Sequence, residues 1–291
     1  MPRKSHAEIA VIGGSGLYRM KGLRNIREVQ VKTPFGRPSD RIVLGTLEGR
    51  RVAFLARHGR GHSLSPTAIN YRANIYALKS LGVSQVFSIS AVGSMKETIK
   101  PGDLVLPDQF IDRTTQRSST FFEQGLIAHV SFADPICSTL SSTLEKAAKE
   151  NGSTVHRGGT YVCIEGPQFS TKAESKLYRQ WGVDIIGMTN IPEAKLAREA
   201  ELCYATLALV TDYDCWHETE DAVSVGAILD IMHKNVEVAQ HVLKASIRLV
   251  QETPHCACQT ALAHALVTAP KSMTATIKKR YQLLLARQWS T

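Results

Sequence analysis

Two aspartates one residue apart, Asp212 and Asp214, close the run Ala208-Leu209-Val210-Thr211-Asp212-Tyr213-Asp214. The stretch before them, Tyr204 to Val210, is apolar and of strand length, which reads as a buried parallel strand ending in two carboxylates. In open α/β sheets, ligands bind beyond the carboxyl ends of the strands. A carboxylate placed there can protonate a leaving group or accept a hydrogen bond from an exocyclic amine. Aspartate is also common in strand-to-loop turns for backbone reasons, so the pair alone leaves both readings open.

Other strand ends carry matching chemistry. Gly13-Gly14-Ser15-Gly16 lets backbone N–H groups converge on an anion, and Ser15 adds a hydroxyl. It is neither a dinucleotide fingerprint nor a P-loop, and a plain glycine turn reads the same way. In Arg57-His58-Gly59-Arg60-Gly61-His62, Arg57 is placed to grip a phosphate bidentately, and His58 and His62 to hydrogen-bond. The intervening glycines argue against a helical metal pair. Ser90-Ala91-Val92-Gly93-Ser94 leaves room for a ligand to approach the backbone. In Glu165-Gly166-Pro167-Gln168-Phe169-Ser170, Phe169 suits stacking on a planar base and Ser170 its edge. Gly187-Met188-Thr189-Asn190 offers a soft apolar wall at Met188 and a hydroxyl at Thr189. Each signal has a bland structural alternative. Together they suit one site for a phosphate, a pentose and a purine.

The elements that position these ends alternate strand and helix. Strands are predicted at Ile9 to Ile12, Val29 to Thr33, Ile42 to Leu47, Arg51 to Ala56, Gln85 to Ser90, Gly159 to Ile164 and Asp184 to Met188. Helices are predicted over Asn70 to Leu81, from Asp134-Pro135 to about Asn151, from the capping box Thr171 to Glu174, over Pro192 to Ala200, and over Val225 to Val250. Beyond Glu252 the pattern weakens, and a loosely packed tail is predicted. There is no repeat and no linker, so the chain reads as a single α/β domain.

Composition sets the limits. A 291-residue chain with 43% hydrophobic and 21% charged residues is an ordinary globular protein. No apolar run spans a bilayer and the start lacks a secretory core, so a cytoplasmic protein without a membrane partner is expected. The net charge of +9 suggests a nucleic-acid partner or an anionic substrate. No Lys/Arg run interleaved with aromatics supports the former, and Lys271, Lys278, Lys279, Arg280 and Arg287 read as a solvated basic tail. Six cysteines are scattered without a C-x-x-C pair, so no metal is expected. Cys137, Cys163 and Cys203 read as small buried hydrophobes. Cys256-Ala-Cys258 reads as two loop thiols or a strained disulfide.

Several longer motifs, taken in order, carry a resemblance. They are Ile12 to Leu17, Thr33 to Asp40, Ala56 to His62, Asn70 to Asn74, Pro107 to Asp112, Glu165 to Ser170 and Thr211 to Trp216. From about Ile9 to Val250 the chain resembles the 5'-methylthioadenosine phosphorylases of the trimeric purine nucleoside phosphorylase superfamily. The tail after about Glu252 is outside it. The resemblance implies a central twisted mixed β-sheet flanked by α-helices, with a core of about 9–250. It implies phosphorolysis of 5'-methylthioadenosine to adenine and 5-methylthioribose 1-phosphate, with phosphate as co-substrate and no cofactor. It implies phosphate contacts from Ser15, Arg57, His58, Ser90, Ala91 and Thr189. Met188 would contact the pentose, with His62 near it. Phe169, Ser170, Asp212 and Asp214 would surround the base, Asp212 as an acid of raised pKa at purine N7 and Asp214 as acceptor for the 6-amino group. Val225 and Leu229 would hold the methylthio group. His129 of a neighbouring subunit would cover the 5' end, in a homotrimer or dimer of trimers. The rival enzyme reading is a phosphorylase for inosine, guanosine or methylthioinosine. The rival of another class is a basic nucleic-acid-binding protein.

Overall fold

A computed structural model describes residues 6–14, 16–17, 20–123, 125–217, 225–251 and 256–288, and the side chains of 225–230, 232, 233 and 270 lie outside the description. Among the described residues the chain builds one mixed sheet of eleven strands with helices packed on it.

Four parallel strands form its centre. β1 (Ile9–Gly13) lies between β4 (Arg50–Ala56) and β5 (Gln85–Ser94), and β11 (Cys203–Asp212) pairs with the far side of β5. β1 and the Cys203–Thr211 stretch of β11 are buried throughout, as expected for strands covered on both faces. On one flank β2 (Arg24–Val29) and β3 (Ile42–Leu47) add an antiparallel meander to β4. On the other, β10 (Ile185–Gly187) pairs antiparallel with the last two residues of β5, and continues to β9 (Thr160–Ile164) and β7 (Gln109–Arg113). Short β6 (Leu104–Leu106) and β8 (Val155–Arg157) extend the β11 edge. The sheet therefore splits beside β5. That strand leaves β1 after Ser88 and takes up β10 at Gly93 and Ser94, while its pairing with β11 runs on to Gly93 with a register shift between Val210 and Asp212.

Five helices follow from ordinary signals. α1 (Tyr71–Ser80) is capped by Asn70, whose side chain accepts from the Ala73 amide. α3 (Lys172–Gln180) opens with the full Thr171–Glu174 capping box. α4 (Asn190–Glu199) includes a non-helical Ile191, so its regular turns begin at Pro192. α5 (Val225–Leu249) agrees with the predicted long helix. α2 is shorter than predicted. It runs Ser138–Glu150 with Cys137 at its N-cap, and Asp134-Pro135 lies in the bend before it.

Two more expectations fail. The second strand is Arg24–Val29 rather than Val29 to Thr33, because pairing with β3 outweighs the modest apolarity of the later stretch. The tail is not loosely packed. It carries α6 (Ala275–Tyr281), and Leu262, Tyr281 and Leu285 are fully buried in the main core. Tyr281 meets Phe35 and Phe122, and its hydroxyl donates to the Glu123 carbonyl.

Candidate active site

A cavity of about 400 Å³ opens where the sheet splits. Its walls bring together strand ends far apart in sequence: Gly13 and Gly14 after β1, Arg57 to Gly59 after β4, Ser90 to Gly93 in β5, Phe169 and Ser170 beyond β9, Gly187 to Thr189 at β10, and Asp212 and Asp214 at β11. Arg57, His58, His62, Ser90, Ala91, Phe169, Ser170, Met188, Thr189, Asp212 and Asp214 all line this one space. Ser15 lies outside the described residues, as do the side chains of Val225 and Leu229. His129 is elsewhere, on a separate cleft with Cys256 and His264.

The anion end is built mainly from hydroxyls. Ser90 and Thr189 are buried and their oxygens lie 3.5 Å apart, with the Tyr161 hydroxyl 3.3 Å from Ser90 Oγ. Thr189 stands at the N-cap of α4 yet makes no capping hydrogen bond, so its hydroxyl is not spent on the helix.

Arg57 is placed differently from expectation. Its Nε and Nη2 hold Glu193 at 2.8 and 2.9 Å, with both side chains buried. Nη2 also donates to Ser88 Oγ, and Nη1 to the Ile89 carbonyl. The edge that would clasp a phosphate bidentately is therefore occupied by a carboxylate. Burial alone would lower the Arg57 pKa, but Glu193 overrides it and holds the guanidinium firmly charged.

His58 Nδ1 sits 2.9 Å from the Leu64 carbonyl, and its ring stacks on His62 at 4.1 Å. Burial, with Arg57 adding to it, takes the His58 imidazole down to about 4 despite that bond. The ring is neutral at pH 7. A carbonyl can only accept, so Nδ1 carries the proton and Nε2 is left as an acceptor.

At the base end, Asp212 Oδ2 accepts from Thr211 Oγ1 at 2.6 Å and Oδ1 from the Asp214 amide at 2.8 Å. Asp214 is 8% exposed, has φ of 54°, and accepts from Ser175 Oγ at 2.5 Å. Burial, with the Asp212 charge behind it, lifts the Asp214 carboxyl above its ordinary range, and Ser175 draws it partly back. The raised acid was expected on Asp212. Burial also raises the carboxyl of Asp214, the residue expected to accept from the 6-amino group. Phe169 is half exposed at the mouth, ready to lie against a flat ligand.

Several residues that matter carried no sequence signal. Glu193 looks like any helix glutamate, and Ser88 like any strand serine. Ser175 sits inside α3 with nothing in its neighbours to single it out. Arg117 lies in an aperiodic stretch, yet it is buried and donates to the carbonyls of Ile164, Glu165, Met188 and Ile191, tying the base-side loop to the sugar-side loop. The neighbouring Gly93 hinted at close packing. A Cβ there would lie 2.9 Å from Asp212 Oδ1.

Comparison with known proteins agrees with this geometry. The family description "Phosphorylase superfamily" matches residues 8–248. An S-methyl-5'-thioadenosine phosphorylase of Geobacter sulfurreducens is 57% identical over 95% of this chain and 97% of its own length. That of Koribacter versatilis is 55% identical over 97% and 96%. Among solved structures, a methylthioadenosine phosphorylase from an antarctic soil metagenomic library superposes with a TM-score of 0.93 at 56% identity, covering 97% of this chain and all of the other. The methylthioadenosine phosphorylase of Schistosoma mansoni in complex with adenine gives 0.79 at 34% identity, covering 96% and 98%. By the match over most of its length, and by relatives sharing more than half its residues, the chain belongs to the phosphorylase superfamily, among the S-methyl-5'-thioadenosine phosphorylases.

Proposed function

We propose that the chain catalyses phosphorolysis of 5'-methylthioadenosine, giving adenine and 5-methylthio-α-D-ribose 1-phosphate. One observation carries the reading: an acidic pair and a buried hydroxyl pair line the same, mostly apolar cavity.

Phosphate sits against Ser90, Thr189 and the backbone at Ala91 and Gly14, and Ser15 offers a further hydroxyl. Neutral His58 accepts an O–H from monoprotonated phosphate through Nε2 and so turns an unprotonated oxygen towards the sugar. Arg57 contributes its charge, held in place by Glu193, rather than a bidentate grip. Met188 and His62 flank the pentose. As the glycosidic bond lengthens, positive charge grows on the ring and the phosphate below stabilises it before bonding to C1'. The departing purine gains electron density and takes a proton at N7. Asp212 and Asp214 act as a unit that holds one proton between them. Asp214 stores it by burial and releases it to Asp212, which delivers it to N7 as the base departs; Asp214, ionised by that transfer, accepts from the 6-amino group. A 6-oxopurine presents an acceptor there instead, which disfavours the inosine and guanosine reading.

Val225 and Leu229 complete an apolar pocket for the methylthio group, and His129 of a neighbouring subunit covers it in a homotrimer. No cofactor takes part, and the setting is cytoplasmic. The cavity's concave, mostly apolar form favours a small nucleoside over a nucleic acid.

Adenine release from methylthioadenosine, assayed with and without orthophosphate, tests this. The expected result is release only with phosphate, with 5-methylthioribose 1-phosphate formed in equal amount. Undiminished release without phosphate, or preference for methylthioinosine, overturns it.

A further inference from the structure

Four of the six cysteines, scattered in sequence, meet in space. The Sγ atoms of Cys137, Cys203, Cys256 and Cys258 all lie within 4.8 Å of one another, and Cys203 Sγ is 3.1 Å from Cys256 Sγ. They come from three segments: the N-cap of α2, the first residue of β11, and the short 3-10 turn that follows Cys256. Cys137, Cys203 and Cys258 are buried and Cys256 is half-buried. The Cys137 amide donates to the Tyr204 carbonyl, which fixes the α2 cap against β11. None of the four lines the catalytic cavity.

We propose that Cys137, Cys203, Cys256 and Cys258 form a tetrathiolate site for a thiophilic divalent cation of the zinc class. The geometry suits it. Zinc–sulfur bonds of about 2.3 Å in a tetrahedron set sulfur–sulfur separations of about 3.8 Å. A cluster already drawn within 4.8 Å needs only side-chain adjustment to reach that. All four sulfurs are near one another, rather than forming two distant pairs. The cluster also has an approach path. Cys137, Cys256 and Cys258 line a cleft that they share with Arg198 and His264. Arg198, on the same cleft, supplies a fixed positive charge beside the thiolates. Each ligating thiol releases its proton to solvent as the cation binds. With four protein ligands the site is closed, so its role is structural and separate from phosphorolysis.

The site would tie the C-terminal segment to the core. That segment goes on to bond residues 127–129: His129 N–H donates to the Ala265 carbonyl, and Val267 N–H to that of Ile127. Cation binding therefore anchors the segment carrying His129.

The test uses the full chain, reduced, stripped with chelator and titrated anaerobically with Co²⁺. Expected are the charge-transfer and d–d absorption of a tetrahedral cobalt thiolate, saturating at one equivalent and abolished by Zn²⁺. Zn²⁺ raises the melting temperature. Cys256→Ser, at the half-buried member of the cluster, weakens Co²⁺ binding about tenfold or more and removes the thermal shift. Cys215→Ser, outside the cluster, changes neither. Absence of the thiolate bands in the reduced wild-type protein overturns the proposal. So does a spectrum that Cys256→Ser leaves unchanged, or a reduced chain that takes up no cation and reoxidises to two disulfides within the cluster.

Discussion

Arg57 and Glu193 form a bidentate ion pair in which both side chains are buried, 3% and 0% exposed. Ser88 and Tyr204 each add a hydrogen bond to Glu193 Oε1, at 2.8 and 2.9 Å. Removing one partner of such a pair leaves an unneutralised charge in a low-dielectric interior. Glu193→Ala is predicted to lose about 3–5 kcal/mol of stability, read by urea denaturation. Glu193→Gln keeps one acceptor for Arg57 and should lose less. Freed from its partner, Arg57 no longer holds one position beside the anion site, so both variants should also show a raised KM for phosphate. A Glu193→Ala protein with wild-type stability would mean that the pair is not desolvated.

The Asp212–Asp214 pair sets the purine class. Asp212→Asn replaces an acceptor with a group that can also donate, and should move selectivity towards 6-oxopurines. The ratio of kcat/KM for methylthioadenosine over methylthioinosine is predicted to fall by about tenfold or more. An unchanged ratio removes Asp212 from base recognition.

Ser175 offers a cleaner probe of the proton. Its hydroxyl stabilises the ionised form of Asp214 against burial. The Asp214 carboxyl is raised, so its protonated, proton-donating form survives to higher pH than in an ordinary aspartate, and kcat/KM should decline as pH rises through that value. Ser175→Ala removes a stabiliser of the ionised form and raises the value further. The alkaline limb of the kcat/KM profile should shift to higher pH, with the phosphate KM unchanged. A limb that stays in place places the transferred proton elsewhere.

How much of this was legible beforehand depends on the length of the signal. The strand ends announced themselves because each combined a buried apolar run with a glycine turn or a polar side chain, as at β1 and β11. Short β6 and β8 were invisible, since three residues carry no period and only pairing makes them strands. Glu193 meets Arg57 136 residues away, Ser175 meets Asp214 39 away, and Arg117 meets Glu165 48 away. No local pattern encodes such pairings. The cysteine cluster was unreadable for the same reason: Cys137 and Cys256 meet only once α2, β11 and the C-terminal turn are assembled.

Gly166 tests the sugar wall. Its φ of 64° lies in the left-handed region, and a Cβ there would be 2.5 Å from Met188 Sδ. Gly166→Ala must strain the backbone by about 1–2 kcal/mol and push Met188 into the cavity. The nucleoside KM should rise several-fold while thermal stability falls modestly. A variant with a wild-type nucleoside KM would show that Met188 does not set the pentose position.

Glu199 links stability to pH away from the cavity. It is 5% exposed and accepts from Thr120 Oγ1 at 2.6 Å and the Phe121 amide at 2.7 Å. Burial outweighs these bonds and lifts its carboxyl from 4.5 to about 7. The folded chain thus binds this proton more tightly than the unfolded one. The contribution to stability is complete below 4.5 and is lost as pH rises through about 7. At about 1.4 kcal/mol per pH unit, the loss reaches ~3 kcal/mol. Glu199→Gln imitates the protonated form at every pH. Its stability relative to wild type, measured by urea denaturation at about pH 5 and about pH 8, should therefore improve by up to that amount at the higher pH. The difference cancels groups common to both proteins, so a flat result assigns Glu199 an ionised state throughout and requires a counter-charge near Thr120 and Phe121.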